Sequence, residues 1–104
     1  MKVKAGPVTV QIRIDPNLGV KEGLWGEYDP NGDPDPLVRL APGMQPRTFA
    51  MTVLHELLHH VDEAHGIGLR EWQIRCIEQG LSGLMVDNPR LAVMWAKGML
   101  SEGK

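Results

Sequence analysis

Cysteine is almost missing from this chain. Its 104 residues include only Cys76, so no internal disulfide can form, which suits a reducing, cytoplasmic compartment. No stretch reaches the roughly 18 uninterrupted apolar residues of a membrane span. The opening segment, Met1-Lys2-Val3-Lys4-Ala5-Gly6-Pro7, has basic residues with no apolar run behind them, so no secretory leader is expected. Positive charge is not in excess either. The net charge is −2 and no basic cluster exceeds Lys2 and Lys4, which argues against electrostatic capture of nucleic acid. There is no internal repeat. The composition, 42% hydrophobic and 23% charged, suits one domain with one modest core.

Proline is scarce in the second half. Seven of the eight prolines lie at or before Pro46, and only Pro89 follows. Helix interiors tolerate proline badly, so strands and loops are expected over 1–45 and helices over 46–104. Val8-Thr9-Val10-Gln11-Ile12-Arg13-Ile14 alternates in the period-two pattern of a half-buried strand. Leu24–Tyr28 and Leu37–Leu40 are shorter candidates. The loop Asp29–Pro36 between them suggests an irregular hairpin.

From Pro46 to Ala64 the period becomes helical. Ala50, Val53, Leu54, Leu57, Leu58 and Val61 form one apolar arc, opposite Thr48, Thr52, His55, Glu56, His59, Asp62 and Glu63. Pro46 fits the first turn, and Gly66 and Gly68 are stop signals. A second helix is expected over Arg70–Val86, on Ile74, Ile77, Leu81 and Leu84. Gly80 and Gly83 weaken it by roughly 1 kcal/mol each unless a neighbouring backbone packs closely there. Asp87-Asn88-Pro89 breaks it, and a short third helix is expected over Leu91–Leu100.

The first of these helices carries His55-Glu56-Leu57-Leu58-His59. Spacing of four puts both imidazoles on one face, about 6 Å apart along the axis. Both can then reach one Zn²⁺. Glu56, about 100° around the helix, would stand beside the activated water as general base. Catalytic zinc needs a third protein ligand, and three candidates stand open: Glu71 first, then His65 and Glu78. His65 has the spacing of a longer zinc motif, but Asp62 replaces that motif's turn-forming glycine. A helix running through Ala64 would carry His65 away from His59.

The segment Leu24–Pro89 resembles the small zincin-type metallopeptidases met in phage and prophage genomes. The residues carrying the likeness are Leu24-Trp25-Gly26-Glu27-Tyr28-Asp29, His55–His59, Gly68-Leu69, Glu71 with Ile74, Gly80-Leu81 and Asp87-Asn88-Pro89. They cover about two-thirds of the chain. The resemblance implies a minimal gluzincin with His55, His59 and Glu71 as zinc ligands and Glu56 as base. Glu78 departs from the pattern, standing where a small apolar residue is expected, and Trp72 stands where the pattern is polar.

Weaker features have plainer readings. Asp62 either orients a ligand imidazole or is simply solvated. His60 points away from His55 and is expected at the surface. Tyr28 or Arg75 would serve as an oxyanion donor only if aimed at the reacting oxygen, which spacing does not show. The Asp29–Asp35 run lacks the glycine and glutamate positions of a calcium loop. Cys76 reads as a buried structural thiol, and Trp25, Trp72 and Trp95 as core or edge packing.

Together these expectations describe one α+β domain over 1–104, with a three-stranded sheet, a helix bearing the histidines, a ligand-bearing second helix and a short third one. The function expected is zinc-dependent hydrolysis of peptide bonds in a peptide or protein substrate paired along an edge strand, Leu24–Tyr28 or Leu37–Leu40. No nucleic-acid or membrane partner is expected, and the sequence does not fix the oligomeric state. The alternatives are a catalytically silent zinc scaffold acting as a regulatory or interaction module, and a metal-free helical adaptor.

Overall fold

The computed structural model describes residues 1–5, 8–19 and 25–101. Strands β1 (Lys2–Ala5), β2 (Val8–Ile14), β3 (Gly26–Asp29) and β4 (Leu37–Leu40) precede helices α1 (Pro46–His65), α2 (Glu71–Asp87) and α3 (Pro89–Ser101). The architecture is α+β: a mixed four-stranded sheet of order β1-β2-β4-β3 with three helices. β1 pairs antiparallel with β2, β2 parallel with β4, and β3 antiparallel with β4.

Two sequence expectations about the sheet change. It has four strands, not three, because Lys2–Ala5 pairs with β2. That segment holds Lys2 and Lys4 and is too short to show an alternating pattern of its own. Leu37–Leu40 is an interior strand, hydrogen-bonded on both sides, so it cannot accept a peptide. β3 is the edge on the helix-bearing side; Leu24, expected in that strand, lies outside the described residues. The irregular hairpin is present, with Asp29 opposite Leu37 and Asp29 Oδ1 accepting from the Asn31 N–H at 2.9 Å.

The core lies where central strands meet helix. Val10, Ile12, Val38 and Leu40 are buried, and Phe49, Val53 and Leu57 of α1 pack on them with Tyr28 of β3. Burying such side chains stabilises by roughly 1.5–3 kcal/mol each. Ile14, the last apolar residue of the β2 alternation, stands exposed. On β2, buried Gln11 donates through Nε2 to Asp35 O at 3.0 Å and accepts from Arg13 at 2.8 Å. Arg39 of β4 pairs with Asp15 and Glu27.

α1 begins with Pro46 in its first turn and ends at Gly66, whose left-handed backbone (φ 61°) closes the helix. The expected apolar arc is divided between two neighbours. Val53 and Leu57 face the sheet, whereas Ala50 and Leu54 face an apolar groove shared with α2 and α3. β3 crosses the side of α1 that sequence pattern assigns to solvent, and Glu56 is buried there. His60 is buried too, not at the surface, because Tyr28 of β3 packs against it. α3 packs on α2 alone among the described elements. It is longer than expected at both ends, since Pro89 is tolerated in its first turn.

The expected packing roles of Trp25, Trp72 and Trp95 and the buried state of Cys76 are also corrected. All four residues are exposed. On α2 only Ile74 is buried, because the helix meets α1 along one narrow seam and α3 along another, leaving much of its surface uncovered.

Gly26 sets how closely α1 approaches β3. A β-carbon there would lie 2.6 Å from Thr52 Cγ2 and 3.1 Å from Glu56 Oε2. Thr52 cannot easily yield, because its χ1 is stiff and its hydroxyl donates to Thr48 O at 2.7 Å. Gly26→Ala is expected to lower the unfolding free energy by about 1–3 kcal/mol, as overpacking does. Denaturant titration of the two proteins measures it.

Candidate metal centre

His55 and His59 lie one turn apart on α1, with ring centroids 5.1 Å apart and planes 67° from parallel. Glu71 is the first residue of α2, and its two oxygens meet the two rings separately. His55 Nε2 lies 2.7 Å from Oε1 and His59 Nε2 lies 3.0 Å from Oε2. One donor atom from each residue falls within 4.8 Å of the other two, so His55, His59 and Glu71 could hold a metal ion. Two imidazole nitrogens and a carboxylate oxygen are a donor set that zinc accepts.

The short link between the helices brings Glu71 to this place. Gly66 and Gly68 take positive φ, which turns the chain back at little steric cost. Asp62 Oδ1 accepts from the Gly68 and Leu69 N–H groups, both at 2.8 Å. The Gln73 side chain accepts from Arg70 N–H at 2.8 Å and caps α2. Asp62 therefore contacts the link rather than an imidazole, and its effect on the centre is to place the carboxylate of Glu71.

The partner of His55 is Glu78, two turns further along α2. Its Oε1 lies 2.7 Å from His55 Nδ1. A carboxylate only accepts, so Nδ1 donates to Glu78, and Nε2 is the nitrogen turned toward Glu71. Glu78 thus stands behind His55, outside the group that could hold a metal ion. His65 is the exposed last residue of α1, outside the group of donors.

Glu56 is 7% exposed. Burial pushes its carboxyl up to about 7, nearby His55 opposes this, and the charges of Glu71, Glu27 and Glu78 add to it. A carboxyl titrating there can both take and return a proton near neutral pH. These side chains line one cleft of about 510 Å³, with Trp25 to Tyr28 along one wall and Arg75 opposite. Arg75 is exposed and lies 3.7 Å from Glu71 Oε1. Tyr28 also lines the cleft, but its hydroxyl is engaged with His60 Nδ1 at 2.9 Å. Burial, then Glu63, then Asp29 push the phenol up to about 12.

His60 Nε2 is buried without a hydrogen-bond partner among the described residues. An unpaired lone pair is less costly there than an unpaired N–H, so the Nδ1–H tautomer donating to Tyr28 is the consistent assignment.

No protein-family model, no curated protein and no solved structure matches this chain.

Two measurements test this geometry. In chelator-treated protein, Glu56 returns on unfolding to its ordinary value of 4.5 from about 7. The folded state therefore holds the extra proton between those values. The stabilisation is complete at low pH and lost as pH rises through 7. Subtracting Glu56→Gln from wild type in denaturant titrations isolates the group. The wild type should lose stability relative to the variant as pH rises from about 4.5 to 8, and a flat difference contradicts the assignment. Separately, Asp62→Ala should cost about 1–2 kcal/mol in the same assay, with Asp62→Asn retaining most of the stability because its oxygen still accepts.

Proposed function

We propose that this chain is a zinc-dependent peptidase of the minimal gluzincin kind. The observation carrying the reading is the convergence of His55 Nε2 and His59 Nε2 on the two oxygens of Glu71, with buried Glu56 alongside. Three of those residues lie in one short motif and the fourth arrives from a different helix. The resemblance to small phage and prophage zincins points to the same four. Bound zinc would acidify a water and polarise a carbonyl. Glu56 would take the proton of the attacking water and hand it to the departing amine, for which a carboxyl near 7 is suited. Glu78 would hold His55 in the tautomer that presents Nε2.

A peptide substrate would lie extended along β3. Among the described residues that strand is the edge of the sheet beside β4, and its residues Gly26 to Tyr28 form a wall of the cleft; an edge offers backbone groups at fixed spacing. The wall is short, so few substrate residues would be recognised. No helix among the described residues is long and apolar enough to cross a membrane, and we place the reaction in the cytoplasm.

Elemental analysis and cleavage of an unstructured protein, run together on variants, test this reading. Wild type should carry about one zinc per chain. Glu56→Gln should keep the zinc and lose about 10²–10⁴-fold in turnover. Glu71→Ala should lose zinc, Glu78→Ala should bind it about 10–100-fold more weakly, and His65→Ala should behave as wild type. Undiminished turnover in Glu56→Gln rejects the mechanism. Zinc bound without any turnover in the wild type selects the silent-scaffold reading, and metal-free protein of unchanged fold rejects both.

A further inference from the structure

The glutamates that line the cleft are each engaged with a neighbour or buried. Glu27 pairs with Arg39, and Glu78 Oε1 accepts from His55 Nδ1 at 2.7 Å. Glu71 sets its two oxygens against the two imidazoles. Glu56 is buried, and burial pushes its carboxyl up to about 7, so at neutral pH it is charged only part of the time.

Arg75 is the exception among the charged groups of these walls. It borders the same cleft of about 510 Å³ as Gly26 to Tyr28 of β3, and its side chain is 67% exposed. Among the described residues its one polar contact is Glu71, with 3.7 Å from Nε to Oε1. That is too long for a hydrogen bond. The planar fork of a guanidinium, with five N–H donors, matches a carboxylate two bonds at a time, and here it is not so used. Were Glu71 to hold a cation together with His55 and His59, its charge would be shared with that cation and its pull on Arg75 would weaken.

We propose that Arg75 recognises a carboxylate of the substrate, within one or two residues of the bond that is cut. The inference rests on the peptidase reading and adds the class of peptide taken: one with a free C-terminal carboxylate, or an aspartate or glutamate side chain, next to the cut. The distances set the reach. Arg75 Nε lies 3.7 Å from Glu71 Oε1, and that oxygen lies 2.7 Å from His55 Nε2, while an extended chain advances about 3.3 Å per residue. A carboxylate held by Arg75 therefore belongs to a near neighbour of the residue at the donor group. β3 is four residues long, so one charged anchor would carry much of the selection. The acid-rich walls suggest a basic peptide at first sight. A lysine side chain would meet carboxylates that other groups already engage, and Arg75 would repel it.

Titration of the Glu56→Gln chain, loaded with zinc and followed by nuclear magnetic resonance, tests this without relying on turnover. The probes are short N-acetylated alanine peptides. One has a free C-terminal carboxylate, one is amidated, and two more are amidated with a single internal glutamate or a single internal lysine. At least one of the two carboxylate peptides should bind about 3–10-fold more tightly than the neutral amide, and which one does so tells a chain end from a side chain. Adding Arg75→Gln should abolish the difference, Arg75→Lys should keep part of it, and Arg75→Glu should turn the preference to the lysine peptide. Equal binding of all four, no binding, a lysine preference, or a carboxylate preference that survives Arg75→Gln overturns the proposal and leaves the peptidase reading standing. A chain that takes up no zinc removes both.

Discussion

Gly26 has no side chain, and α1 can lie where it does only on that condition. The helix passes so near β3 at this point that one added carbon would press on Thr52 and Glu56. The same closeness buries Glu56 and shields its carboxyl from water, while His60 is drawn in beside Tyr28. Set further from the strand, α1 would keep its two histidines at the same spacing. Its glutamate would then be an ordinary solvated acid, with none of the displacement that burial causes.

The second constraint is electrostatic. Glu27, Glu56, Glu71 and Glu78 line one cleft, with Arg75 the one arginine or lysine on its walls among the described residues. Gathering carboxylates in a partly buried space is unfavourable unless positive charge offsets it. Arg39 does this for Glu27, while Glu71 and Glu78 lie against the ring nitrogens of His55 and His59. A divalent ion held by His55, His59 and Glu71 would meet the same need at its densest point.

Several of these features were legible in the sequence. His55 and His59 share a face because helical spacing requires it. The proline distribution divided strands from helices near Pro46, and the hairpin followed from its turn residues. Other features depended on contacts that no local pattern records. β1 has no alternation of its own and is a strand only because β2 pairs with it. His60 lies beside Val53 at the edge of the apolar arc and is buried because Tyr28 of β3 packs against it. Glu78 stands in the sequence as a candidate third ligand, and only the crossing of the helices brings it to His55 Nδ1 instead. Cys76 and the tryptophans depart in the opposite direction. Their residue types favour burial, but α2 and α3 have too few neighbours in this chain to provide it.

The donors at residues 55, 59 and 71 are close in sequence, whereas β2 and β4 pair across the long span from Gln11–Ile14 to Leu37–Leu40. Closing short loops costs less entropy than closing long ones, so the hairpin of α1 and α2 is the unit favoured to assemble first. Glu56 acquires its dry surroundings only when β3 arrives. On the proposed reading, the group that could hold an ion and the dry surroundings of Glu56 would thus form separately. A chain halted between them could hold a metal ion with Glu56 still wetted.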